Sequence, residues 1–137
     1  MKRISNRNRM LILAFILAAA TGVALHMAGH GGCRDSIRCA AVLHTVAALV
    51  FAAAAVRHAT VRRNWYRKLF TGAPGRKSIA TCALTAAFLL ATATGIAAFF
   101  ADKPLAAAGL CHYKAGILLC ACCAVHMVRR LRRTPRK

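Results

Sequence analysis

From Met10 to Cys33 the chain carries no Asp, Glu, Lys or Arg, and the same holds for Cys39–Val56 and Ser78–Ala101. A fourth stretch, Ala115–Val128, reaches comparable length if it begins near Leu105 and takes in Lys114, whose stem can snorkel to an interface. A helix of about 18 or more such residues crosses the ~30 Å hydrocarbon core of a bilayer. Four of them in one chain predict an all-α integral membrane four-helix bundle.

The charge has to be weighed against that reading. Lys and Arg number 21 against 2 Asp and Glu, a net charge of +19 over 137 residues, which taken alone suits a nucleic-acid binder. The bases, however, are packed between the apolar runs. Four lie before the first run (Lys2, Arg3, Arg7, Arg9) and seven between the second and third (Arg57, Arg62, Arg63, Arg67, Lys68, Arg76, Lys77). Six follow the fourth run (Arg129, Arg130, Arg132, Arg133, Arg136, Lys137). Thus 17 of the 21 fall on one side of a four-span topology, the side that the positive-inside rule makes cytoplasmic. Both termini are expected inside, and both acids, Asp35 and Asp102, fall in the outer connections. The basic runs are therefore topology signals, and no nucleic-acid partner is expected. A hydrophobic content of 59% excludes disorder, and the length excludes a multidomain enzyme.

Trp65 and Tyr66 suit the aromatic belt at the inner interface, and Thr71-Gly-Ala-Pro-Gly75 reads as the turn between two halves. The basic start and the run Leu11–Ala20 would also describe a secretory signal peptide. Against this, the segment has a counterpart later in the chain. Thr21-Gly22-Val23-Ala24 matches Thr94-Gly95-Ile96-Ala97 at an offset of 73 residues. His44, His58 and Arg62 match His112, His126 and Arg130 at an offset of 68. The chain reads as a single transmembrane domain, 1–137, built from two repeated helical hairpins at about 8–68 and 76–131. The second and fourth spans then run parallel, from outside to inside.

His44 and His58 are fourteen residues apart, as are His112 and His126. On an α-helix fourteen steps return to within about 40° of the same face and rise about 21 Å. His44 should lie level with His112 near the outer surface, and His58 level with His126 near the inner one. Imidazole is a natural axial ligand of haem iron, and two imidazoles fill both axial positions. The expected iron ligands are His44 and His112 for an outer haem, and His58 and His126 for an inner haem. Gly22 and Gly95, with Gly116 one turn after His112, would leave room for a macrocycle. Arg62 and Arg130, four residues after the inner histidines, would meet propionates. An open alternative is a metal-ion transporter or sensor that uses the same His and Cys residues without haem.

At His44-x13-His58 and His112-x13-His126 the sequence resembles the di-haem four-helix core of cytochrome b. It is more closely similar to the flavinylation-associated cytochrome family, small membrane modules of two-helix halves. In these a Thr/Ser-Gly closes the first helix, and the next carries Leu-His, a second His and a basic Asn-Trp tail. The corresponding elements are Thr21-Gly22, Leu43-His44, His58 and Asn64-Trp65-Tyr66. The second half keeps Thr94-Gly95, His112 and His126 but has no Asn-Trp. The resemblance implies two haem b per chain and electron transfer between a membrane carrier, with quinol a candidate, and an extracytoplasmic redox protein, often flavin-bearing. The expected location is a bacterial inner membrane, with membrane lipid as the surroundings. An electron-transfer protein or oxidoreductase subunit is expected rather than a complete enzyme.

Seven cysteines remain, at 33, 39, 82, 111, 120, 122 and 123. Cys33, Cys39 and Cys111 lie at or near the outer side, where a disulfide between two of them would persist. Cys120, Cys122 and Cys123 read as small helix-packing thiols. No Cys-x-x-Cys-His occurs, which argues against covalent haem attachment. His26, Met27, His30 and Cys33 cluster at the outer end of the first span and are the rival axial ligands, although an interfacial helix end with two solvated histidines is the preferred account. Gly-x-Ser-x-Gly, P-loop and His-Glu-x-x-His motifs are all absent, and two acids leave little for acid–base hydrolysis.

Overall fold

The computed structural model describes residues 6–64, 66–67, 76–100 and 107–132, with the side chains of 6–7, 76–78 and 130–132 outside that description. These residues form four α-helices and no strand: α1 (Asn6–Gly29), α2 (Arg34–Val61), α3 (Arg76–Phe100) and α4 (Ala107–Arg132). The local reason is compositional. Ala and Leu dominate, and no described helix contains a proline. All four helices are long and apolar enough to cross a membrane, over Asn8–Gly29, Arg34–Val61, Ile79–Phe100 and Ala107–Arg129. The chain is an all-α multi-pass membrane protein. The fourth span includes Lys114, as the sequence required. Trp65, the Thr71–Gly75 turn, Asp102 and Lys103 lie outside the described residues.

The chain divides into two compact units, Met1–Tyr66 and Arg67–Lys137, and each holds one helical hairpin. In the first, α1 and α2 run antiparallel, with the Phe15 and Phe51 rings 5.6 Å apart. The turn between them is tight. Both Gly31 and Gly32 donate their N–H to the carbonyl of Ala28, at 3.4 and 2.7 Å. A Cβ on residue 32 would lie 2.6 Å from that oxygen, so only glycine lets the backbone pass. Cys33 is the N-cap of α2, and Asp35 sits in the first turn, where a carboxylate favours the positive end of the helix dipole.

The two hairpins share one internal design. Among the described residues the buried set is Ala14, Ala18, Ala47, Ala87, Ala91, Ala115 and Leu119. Ala14 and Ala18 map onto Ala87 and Ala91 at the offset of 73, and Ala47 maps onto Ala115 at 68. The repeat is thus a repeat of the packing seam itself. In lipid the outside of a helix is as apolar as the inside, so association relies on close approach of small residues. Leu13, Leu17, Leu49, Leu89, Phe99 and Phe100 point outward and are more than half exposed, as lipid-facing side chains should be. Thr45, Thr85 and Thr92 return their hydroxyl protons to carbonyls four residues back, which satisfies them without water.

Candidate functional site: a repeated histidine seat

Continuous α2 carries His44 and His58, and continuous α4 carries His112 and His126, so the fourteen-residue spacing is realised on unbroken helix in both hairpins. All four imidazoles are half-buried. His44 lies one turn from the buried Ala47, and His112 one turn from the buried Ala115, which puts both on the face turned toward the partner helix.

There each ring meets the backbone of the preceding helix. His44 Nδ1 lies 3.2 Å from the carbonyl oxygen of Ala18 and 3.3 Å from Oγ1 of Thr21. His112 Nδ1 lies 3.0 Å from the carbonyl oxygen of Ala91 and 3.4 Å from Oγ1 of Thr94. A carbonyl oxygen only accepts, so Nδ1 must carry the proton and donate it. The threonine hydroxyls are oriented to accept as well. Thr21 donates to Leu17 and Thr94 to Leu90, both at 2.8 Å. A proton on Nδ1 leaves the lone pair on Nε2. That is the tautomer and the outer-shell contact by which proteins orient metal-ligating histidines.

The glycines have a more immediate purpose than room for a macrocycle. A Cβ on Gly22 would stand 3.1 Å from Cε1 of His44, and one on Gly95 would stand 2.9 Å from Cε1 of His112. Each glycine lets the imidazole of its own hairpin lie against the helix backbone. Gly116 differs, since a Cβ there meets nothing within 4 Å. Thr21-Gly22 and Thr94-Gly95 also do not close their helices. α1 continues to Gly29 and α3 to Phe100, because the motif serves the histidine and not a helix terminus.

Arg62 departs from its expected place on the helix face below His58. α2 ends at Val61, and Arg62 is its C-cap at φ −104° and ψ 17°, exposed, with its N–H turned back to Ala59 and Thr60. Arg130 lies within α4, with its side chain outside the described residues. Ala18 and Ala91, whose carbonyl oxygens accept from the imidazoles, escaped the sequence reading. The available signal was the repeated Ala-x-Ala-Thr-Gly context, Ala18–Gly22 and Ala91–Gly95, which runs farther than Thr-Gly alone.

All seven cysteines are free thiols. Cys33 Sγ lies 3.1 Å from Oγ of Ser36, and hydrogen bonds from the Ser36 side chain and backbone hold its thiol below the ordinary value. His26 and His30 stack edge to face with ring centroids 4.6 Å apart. Among the described residues, no three His, Cys, Asp or Glu side chains gather as a metal-binding group.

Fold and site together define a multi-pass membrane protein of two repeated hairpins, each presenting one backbone-anchored imidazole. No protein-family model, curated protein or solved structure matches the chain.

Proposed function

We propose that the chain is a di-haem b-type membrane cytochrome that passes electrons across the membrane. One observation carries this reading: the same Nδ1-to-carbonyl anchor, threonine and glycine recur around His44 and His112. Structural need alone does not call for two imidazoles held in one tautomer at repeat-related positions. A metal ligand needs that arrangement, because the anchored ring presents Nε2 in a set direction and the carbonyl raises its basicity. Haem ligation asks for two such nitrogens per iron, and imidazole is a donor suited to it. His44 with His112 would hold the outer haem, and His58 with His126 the inner one. Haem b held by these imidazoles would supply one-electron redox chemistry.

The chain's own residues do the rest. Ala18, Thr21, Ala91 and Thr94 fix the imidazole orientation. Gly22 and Gly95 allow the rings to approach, and the exposed Leu, Ile, Val and Phe side chains hold the whole in lipid. Arg62, although it caps α2 and leaves the face of His58, would still bring positive charge near that helix end for a propionate. In the reading supported by the sequence resemblance, the donor is a membrane carrier such as quinol and the acceptor an extracytoplasmic, flavin-bearing redox protein. The membrane is then a bacterial inner membrane, with both termini cytoplasmic by the charge distribution.

The test is a reduced-minus-oxidised spectrum of the purified full chain, expressed with ample haem, together with haem and protein quantitation. Two non-covalent low-spin bis-imidazole haems per chain are expected. A folded preparation that stays colourless overturns the proposal.

A further inference from the structure

The outer end of α1 breaks the repeat. The buried alanines, the threonine–glycine pairs and the histidine anchors all recur in the second hairpin, but His26 and His30 do not. At the offset of 73 their counterparts are Phe99 and Lys103. The hairpin fold therefore has no need of two imidazoles there. Their arrangement is specific nonetheless. His26 lies in the last turn of α1, and His30 follows four residues later, just past the helix end at Gly29. His30 N–H bonds to the carbonyl of Met27 at 3.1 Å, which continues the coil and keeps the two side chains on one face. Their ring centroids are 4.6 Å apart, with the planes at 82°.

That separation has a chemical meaning. A first-row divalent ion binds imidazole nitrogen at about 2.0–2.1 Å, and the nitrogen sits roughly 1.1 Å from its ring centre, so ion and ring centre are about 3.2 Å apart. Two imidazoles at a right angle around one ion then have ring centres about 4.5 Å apart, and about 5.2 Å at a tetrahedral angle. The observed 4.6 Å matches the first case. The site also lies at the C-terminal end of α1, where the helix dipole favours a cation. Two neutral nitrogens with water completing the shell suit a borderline transition metal, with Cu²⁺ bound more tightly than Ni²⁺ or Zn²⁺.

We infer that His26 and His30 form a bidentate site for a divalent transition-metal ion at the outer end of α1. This site is independent of the four histidines assigned to haem. The pair acts as a chelate: once one imidazole has bound, the second is held beside the ion, and losing either removes that advantage.

The experiment titrates Cu²⁺ and Zn²⁺ into the full chain in detergent micelles after accessible thiols have been alkylated, so that Cys33, Cys39 and Cys111 do not compete. Affinity is read by competition with a chelating dye, and nitrogen coordination by the Cu²⁺ electron paramagnetic resonance spectrum. One ion per chain with two coupled nitrogens is expected. His26→Ala and His30→Ala should each weaken it by about a hundredfold. The double change His26→Phe with His30→Lys places the second hairpin's own residues here, so the helix end keeps a native alternative, and it should abolish the site. Arg63→Ala, an exposed change past the far end of α2, should leave binding unchanged. Binding that survives the double change, or that is lost in Arg63→Ala, overturns the inference. Because the readout does not involve haem, its failure is separable from failure of the cytochrome reading.

Discussion

The Nδ1 nitrogen of His44 is held 3.2 Å from the carbonyl oxygen of Ala18, on the other helix of its hairpin and 26 residues earlier in the chain. His112 stands in the same relation to Ala91, at 3.0 Å. Two imidazoles are thereby fixed in one tautomer by backbone, which no side-chain substitution at Ala18 or Ala91 can remove.

On the proposed reading, the two haems should be lost separately. His44→Ala or His112→Ala should remove the outer haem and His58→Ala or His126→Ala the inner one, each halving the haem-to-protein ratio. If His26→Ala or His30→Ala removed a haem while His44→Ala did not, span one would supply an axial ligand and the assignment would fall.

Adding a methyl group beside the imidazole should be costlier in the second hairpin. Gly95→Ala would bring Cβ to 2.9 Å from the His112 ring, against 3.1 Å from His44 for Gly22→Ala. Overpacking of this kind costs about 1–3 kcal/mol. Thermal melts and haem retention should show Gly95→Ala as the weaker protein. Equal stability of both variants with the parent would mean that the rings move away freely.

Thr21→Val and Thr94→Val keep the shape but remove an oxygen that accepts from Nδ1. A weaker pull on that proton makes the imidazole a poorer donor, so the oxidised haem is stabilised less. The outer haem's midpoint should rise by roughly 10–40 mV, on a scale where 59 mV is tenfold for one electron. A redox titration reads it; a fall, or no change in either variant, would remove the threonines from the site.

Electron passage should respond to membrane potential. His44 and His58 are fourteen residues apart on one continuous helix, which places their ligand positions about 21 Å apart along it. Moving one charge across a full bilayer exchanges about 2.3 kcal/mol per 100 mV, and the hop between the two levels should take a large share. On the proposed orientation, the larger basic charge at the inner rim should make the inner haem the easier to reduce. In oriented proteoliposomes an imposed potential should redistribute electrons between the haems, and indifference to both polarities would mean that they are not in series.

Cys33 should be the thiol whose alkylation depends on its neighbour. Hydrogen bonds from Ser36 stabilise the thiolate and lower its pKa, so its reaction should turn on at lower pH than an ordinary thiol's. Ser36→Ala should move that inflection upward. Mass-spectrometric rates across pH decide it, and an unmoved inflection would show that the bond does not persist in solution.

The sequence by itself determined the number of spans, the twofold repeat and the fourteen-residue spacing of the histidines, because each is written in linear order. Uncharged runs mark helices that lipid will accept, and a fixed offset needs no coordinates to be seen. It did not reveal which face of each helix turns inward. In a soluble protein the apolar stripe identifies that face, but here Leu13 and Leu49 are apolar and exposed while Ala14 and Ala47 are apolar and buried. Only the packed alanine seam sets how far α1 slides along α2, and that register places Ala18, Thr21 and Gly22 beneath His44. Helix ends were similarly illegible: Arg62 reads as one more helical residue, yet α2 stops at Val61. The tautomer of His44 was decided last of all, by a backbone carbonyl 26 residues away, since every residue presents the same carbonyl and only the tertiary fold selects which one a ring will meet.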